Sequence, residues 1–140
     1  AQLREVAAGF ESGAPILTLI KKITDAETLF NTNTPKVIRD EEGNALYFSR
    51  QTIPFLRGVE PSAWLHQHTF FKHIGLYAYR ADILPGLSAL KPTSLELAES
   101  LEQLRWIQNG IQIKALETQF ETIGIDSPED LEKIQKMGLI

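Results

Sequence analysis

The run "FFKHIGLYAYR", residues 70–80, constrains the fold more than any other stretch, because it reads as a strand with two unlike faces. Successive side chains of a strand point to opposite sides. Phe71, His73, Gly75, Tyr77 and Tyr79 therefore share one face, and Phe70, Lys72, Ile74, Leu76 and Ala78 the other. One face is greasy, while the other carries polar ring tips around a bare spot. Along an ideal strand at about 3.3 Å per residue, His73 and Tyr77 stand roughly 13 Å apart, with Gly75 leaving the floor between them open. Such a trough suits a flat polyhydroxylated ligand. The same pattern also describes a half-buried strand whose His and Tyr tips merely reach solvent.

The elements around it alternate between the two secondary structures. Residues 1–12 read as a helix with Leu3, Val6, Ala7 and Phe10 on one stripe and Gly13 as its stop. "APILTLIKKI" (14–23) reads as a buried strand, and Asp25 caps a short helix with Glu27 in its first turn. "PKVIRD" (35–40) and "ALYFSR" (45–50), joined through Gly43-Asn44, form a hairpin. Residues 51–68, with two prolines and no clean period, read as a long excursion of the kind that serves function or reaches a partner.

After the strand at 69–80, "ADILPGLSAL" is a short helix or turn broken at Pro85-Gly86. The capping box "TSLE", Thr93 to Glu96, opens a helix that runs to Asn109-Gly110, with Leu97, Leu101, Leu104 and Ile107 as its core stripe. "IQIKALE" is a further strand, and Ser127-Pro128 starts a last helix. Alternating strands and helices predict an α/β protein built as a mixed, mostly parallel sheet flanked by helices, with some antiparallel pairs. At 140 residues the chain fits one domain, with few strands for a complete doubly wound sheet.

Composition removes whole classes of function. A net charge of −4 with scattered Lys and Arg argues against a nucleic-acid partner, since phosphates call for clustered cations. Without cysteine there is no disulfide, thiolate metal site or Cys nucleophile, which points to a reducing, cytoplasmic home. No run approaches the ~20 apolar residues of a membrane span, and the first residues lack a signal-peptide core. The three histidines, His66, His68 and His73, have no zincin spacing. A G-x-S-x-G elbow and a glycine-rich phosphate loop are both absent.

Two further stretches carry polar groups in suggestive places. In "ESLEQLR", Glu102, Gln103 and Arg105 lie beside the apolar stripe; an exposed flank with an i,i+3 ion pair reads the same way. In "GIDSPEDL", Ser127 takes the N-cap, which leaves Asp126 free to face the end of a sheet where ligands and cations gather, or to serve as a second capping acid.

Taken in order, "ALYFSRQTIP", "KHIGLYAYR", "LEQLRW" and "GIDSPEDLEKI" resemble the C-terminal half of the 3-deoxy-manno-octulosonate cytidylyltransferases, or CMP-Kdo synthetases. The likeness covers essentially the whole chain. It implies a nucleotide-diphospho-sugar transferase (Rossmann-like) fold, of which residues 1–140 would be the sugar-binding and dimerisation part. The activity implied is the transfer of a cytidylyl group from CTP to Kdo, releasing pyrophosphate and supplying CMP-Kdo for lipopolysaccharide.

Carried over residue by residue, the resemblance implies that Arg50 holds the Kdo carboxylate, for which a guanidinium fork is well shaped. It likewise implies that His73 and Tyr77 bond sugar hydroxyls, that Glu102 and Gln103 complete the pocket, and that Asp126 binds Mg²⁺. Arg50 and Asp126 would be the catalytic pair. The family also implies a homodimer, with the apolar excursion "IPFLRGVEPSAWL" and its Trp64 as a contact.

Several departures qualify these expectations. The N-terminal "R-x-x-S-x-R-x-P-x-K" nucleotide loop and the "Q-G-D-E-P" segment are absent from the 140 residues, so the polypeptide alone is expected not to turn over CTP. Ser127 stands where threonine is usual, and the loop 56–68 gives no clear alignment with the family. The rival expectation is a non-catalytic sugar-acid-binding or dimerisation half-domain, and a start at alanine leaves room for a piece of something longer.

Overall fold

The computed structural model describes residues 2–120. Helix α1 (Gln2–Gly9) leads through a 3-10 turn to Gly13, whose φ of 76° supplies the left-handed stop that glycine adopts freely. Strand β1 (Ile16–Lys22) follows, and then helix α2 (Ala26–Phe30), capped as expected by Asp25, whose carboxylate accepts from the Thr28 N–H at 2.7 Å.

Strands β2 (Lys36–Arg39) and β3 (Ala45–Ser49) form the expected hairpin. Its turn is closed by the Asp40 carboxylate, which takes the Asn44 N–H at 2.8 Å and the Asn44 amide at 3.0 Å. Helix α3 (Trp64–Gln67) lies within the 51–68 excursion, and strand β4 (Phe71–Tyr79) comes after it. Helices α4 (Leu84–Ser88), α5 (Ser94–Glu99) and α6 (Gln103–Gln108) lead to strand β5 (Ile113–Glu117).

These strands form one sheet in the order β3-β2-β4-β1-β5. It is mixed and helix-flanked, as the sequence predicts, but it is not mostly parallel among the described residues. Only β1 and β5 run parallel, while β1–β4, β2–β4 and β2–β3 are antiparallel. The reason lies in the connections. A tight turn can only reverse the chain, and the short helices α2 and α3 do not make the long crossover that a parallel neighbour requires.

The alternation read from 70–80 holds. Ile74, Leu76 and Ala78 pack with Val6, Leu17 and Leu19 on the α1 side. Phe71, Tyr77 and Tyr79 pack with Ile16, Ile20, Phe48, Leu104 and Trp106 on the side covered by α6. Wholly buried aliphatics such as Ile16, Ile20 and Leu104 each stabilise the fold by about 1.5–3 kcal/mol.

Two expectations fail in instructive ways. The helix read across 94–109 is two helices, broken at Ser100, whose φ of 52° lies in the left-handed region. The break shifts the phase, so Leu97 is 69% exposed, while Leu101, Leu104 and Trp106 are buried. The excursion does not present Trp64 as a contact. Trp64 is 5% exposed inside a satellite cluster with Ile23, Leu29 and Phe70, and its indole N–H donates to Val59 O at 2.8 Å.

Candidate functional site

Strand β4 is irregular at the place where the sequence has its bare glycine. Along β1–β4 the partners are Thr18↔Tyr77 and then Leu19↔Ile74, so one step on β1 faces three on β4. Gly75 and Leu76 form this bulge, the kind of local kink that re-aims side chains. Its consequence overturns the expected spacing, because the rings of His73 and Tyr77 lean together with centroids 5.2 Å apart. Gly75 remains open, and a Cβ built there would meet nothing within 4 Å.

Thr18, the one polar residue in the buried run of β1, holds the bulge. Its hydroxyl lies 2.9 Å from Leu76 O, 3.3 Å from Ile74 O and 3.0 Å from His73 Nε2. The carbonyls only accept, so the single hydroxyl proton goes to one of them, and Thr18 in turn accepts from a protonated Nε2. This arrangement places the proton of neutral His73 on Nε2 and leaves Nδ1 as an acceptor. Burial lowers the His73 pKa to about 4, so the ring is uncharged at neutral pH.

Beyond His73 lies a wall of aromatic rings. Tyr77 meets Trp106 edge-on at 5.2 Å, Tyr79 meets Trp106 at 5.6 Å, and the two tyrosines stack at 6.1 Å. Burial above all, with Tyr79 and Glu102 nearby and against a lowering interaction with the Thr18 hydroxyl, pushes the Tyr77 phenol well above its ordinary pKa, so it stays a donor. One turn before Trp106, helix α6 carries the buried Gln103.

Two buried polar atoms, Tyr77 Oη and Gln103 Nε2, make no hydrogen bond of normal geometry among the described residues. The Glu102 side chain is 67% exposed, lies 3.8 Å from Arg105 Nη1, and acts electrostatically on both tyrosines. Arg105 itself is paired bidentately with Glu96 at 2.8 and 2.5 Å, which ties α6 to α5.

The structure thus brings His73 and Tyr77 together, with Glu102 within electrostatic reach of Tyr77 and the buried Gln103 next to it on α6. Arg50, at the end of β3, takes a different part. Its guanidinium donates to Glu99 O at 2.7 Å, Thr32 O at 3.2 Å and Ser100 O at 3.2 Å, two residues before Glu102. Asp126 lies outside the described residues. Among the described residues no three His, Cys, Asp or Glu side chains converge as a metal site, and no helix is long and apolar enough to cross a membrane.

A separate cleft of about 660 Å³ lies between the β2–β3 hairpin and Ile53-Pro54, bordered by Leu46, His68 and Phe71, and holds none of these site residues. The sequence reading missed Thr18, Trp106 and Glu99. Of these, only Thr18 left a trace, as a lone hydroxyl in an apolar strand.

The class of protein is defined by this mixed α/β sheet, flanked by helices and carrying ring tips on its α6 face, together with its likeness to known proteins. Residues 3–123 match the cytidylyltransferase family profile, and the chain belongs to that family. Its relatives include the 3-deoxy-manno-octulosonate cytidylyltransferase of Cytophaga hutchinsonii, 57% identical over 134 residues, covering 95% of this chain and 54% of the relative. The enzyme of that name from Phocaeicola vulgatus is 55% identical over 138 residues, covering 96% and 55%.

A solved CMP:2-keto-3-deoxy-manno-octonic acid synthetase complexed with CTP superposes with a TM-score of 0.84 at 35% identity, covering 99% of this chain and 55% of that one. The fold is accordingly that of the nucleotide-diphospho-sugar transferases. The chain spans about half the length of the curated relatives it matches.

Proposed function

We propose that this chain forms the Kdo-recognising part of a 3-deoxy-manno-octulosonate cytidylyltransferase, working in the cytoplasm to supply CMP-Kdo for lipopolysaccharide. The observation that carries the reading is a pair of buried polar atoms that make no hydrogen bond of normal geometry: Tyr77 Oη, whose ring leans on His73, and Gln103 Nε2 on α6. A buried polar group left without a partner costs about 1–3 kcal/mol, a cost that a ligand rich in hydroxyls would remove. The four groups are complementary in kind. Tyr77 and Gln103 donate, while His73 Nδ1 and the Glu102 carboxylate accept.

In the reaction the anomeric hydroxyl of Kdo attacks the α-phosphorus of CTP and pyrophosphate leaves. What these residues contribute is orientation: they hold the sugar ring by its hydroxyls so that the attacking oxygen approaches in line. Arg50 is assigned to the sugar carboxylate, with the guanidinium N–H groups that the three carbonyls do not engage. Mg²⁺, which lowers the repulsion between anions when bound, is assigned to Asp126. The described residues offer no cation cluster to join it. The protein is proposed to work as a homodimer.

The test is calorimetric titration of Kdo into the chain and into Tyr77→Phe and Gln103→Leu. Each substitution is expected to weaken binding about tenfold, in line with one lost hydrogen bond to a buried group. Affinities equal to the parent's would overturn the reading. In the same preparation, CTP and Mg²⁺ added with Kdo are expected to release no pyrophosphate. That outcome separates sugar binding from catalysis, and release would show that the 140-residue polypeptide carries its own triphosphate site.

A further inference from the structure

Glu99 stands outside the proposed sugar contacts, yet it joins the end of β3 to the end of α5. Its carboxylate accepts from the Ser49 hydroxyl at 2.6 Å and from the Arg50 N–H at 2.9 Å, and its carbonyl accepts from Arg50 Nε at 2.7 Å. The next residue, Ser100, sits at a φ of 52°, in the left-handed conformation that L side chains disfavour. Arg50 also donates to Ser100 O at 3.2 Å. Close by, the wholly buried Lys36 donates to Asn31 O and Thr34 O, and the Glu99 charge acts on it. The end of β3 therefore grips both sides of the helix break.

We infer that Glu99 is a positioning residue for the sugar site, fixing the left-handed turn that ends α5 so that Glu102 and Gln103 open α6 beside His73 and Tyr77. This rests on the sugar reading above. The geometry supports it in three ways. Without the break, a continuous helix would carry Glu102 and Gln103 round to a different face, as the exposure of Leu97 shows for its first half. A disfavoured φ at a non-glycine residue persists only where the surroundings over-determine it, and here three hydrogen bonds to Glu99 and one to Ser100 do so. Finally, every one of those bonds comes from Ser49 or Arg50, so a strand edge far away in sequence dictates where the helix restarts.

The test uses two variants of the chain. Glu99→Ala removes the carboxylate's bonds to Ser49 and Arg50 and its interaction with Tyr47. Glu99→Gln keeps the shape: its oxygen can accept from the Arg50 N–H, and its amide can donate to Ser49 Oγ, which has a lone pair to spare beside the one taken by the Gln51 N–H at 3.1 Å. Hydrogen exchange then reads the turn without any ligand. The Leu101 and Leu104 amides, bonded to Glu96 O and Leu101 O, are expected to exchange about tenfold faster in Glu99→Ala, with the amides of β1 unchanged. Kdo titration reads the site, with affinity expected to fall about tenfold in Glu99→Ala and to return in Glu99→Gln.

Unchanged exchange in Glu99→Ala would overturn the inference, as would unchanged Kdo affinity or a Glu99→Gln variant as weak as Glu99→Ala. If the parent chain took no Kdo, the sugar reading would fall, and the exchange rates would still decide whether Glu99 sets the turn.

Discussion

At the scale of single residues, His73 shows how much one buried ring can control. Its folded pKa of about 4 lies below the ordinary 6.5, so between those values the unfolded chain binds more protons than the folded one. Stability from this group is therefore complete above pH 6.5 and is lost as pH falls toward 4. At pH 5 the loss comes to about 2 kcal/mol. Urea denaturation at pH 7.5 and pH 5 is expected to show it, and His73→Gln, which keeps a donor for Thr18, is expected to flatten that limb; an equally steep limb in the variant would place the proton elsewhere. Which face His73 occupies was legible from alternation alone. The 5.2 Å approach of Tyr77 was not, because a bulge depends on which residues of the neighbouring strand fail to match, and Thr18 is separated from His73 by most of the excursion and the hairpin.

At the scale of elements, the sequence announces beginnings better than interruptions. Asp25, Thr93 and Gly110 each mark an end where the structure has one, because caps are local chemistry. The break at Ser100 has no such mark. "SLELAESLEQLRW" is rich in good helix formers, and tertiary bonds from Ser49 and Arg50 override that propensity. If the left-handed turn is a real strain held by those bonds, relieving it should stabilise the chain. Ser100→Gly, which removes the Cβ that makes this φ unfavourable, is expected to raise unfolding free energy by about 0.5–1 kcal/mol in urea titration. Destabilisation of that size would mean that the Ser100 side chain supports the turn and is not strained by it.

At the scale of the whole molecule, strand positions were readable and strand neighbours were not. Pairing joins residues far apart in sequence: β4 inserts between β1 and β2, and that order has no signature in any window of the chain. The excursion shows the same limit from another side. Its aromatic content marks it as important, but only packing distinguishes Trp64, 5% exposed, from Phe55, 75% exposed and edge-on to Trp64 at 5.4 Å. The two residues should therefore fail differently when changed. Trp64→Ala is expected to remove about 3 kcal/mol of stability, since it empties the centre of a satellite core, and to do so whatever the assembly state. Phe55→Asp alters a ring that already faces water, so the fold should keep its melting temperature. If the proposed homodimer uses the excursion, equilibrium sedimentation of Phe55→Asp should give the mass of a single chain where the parent gives two. A dimer that survives Phe55→Asp would move the contact off the excursion, and Leu46, 54% exposed on the edge strand β3, would be the next residue to charge.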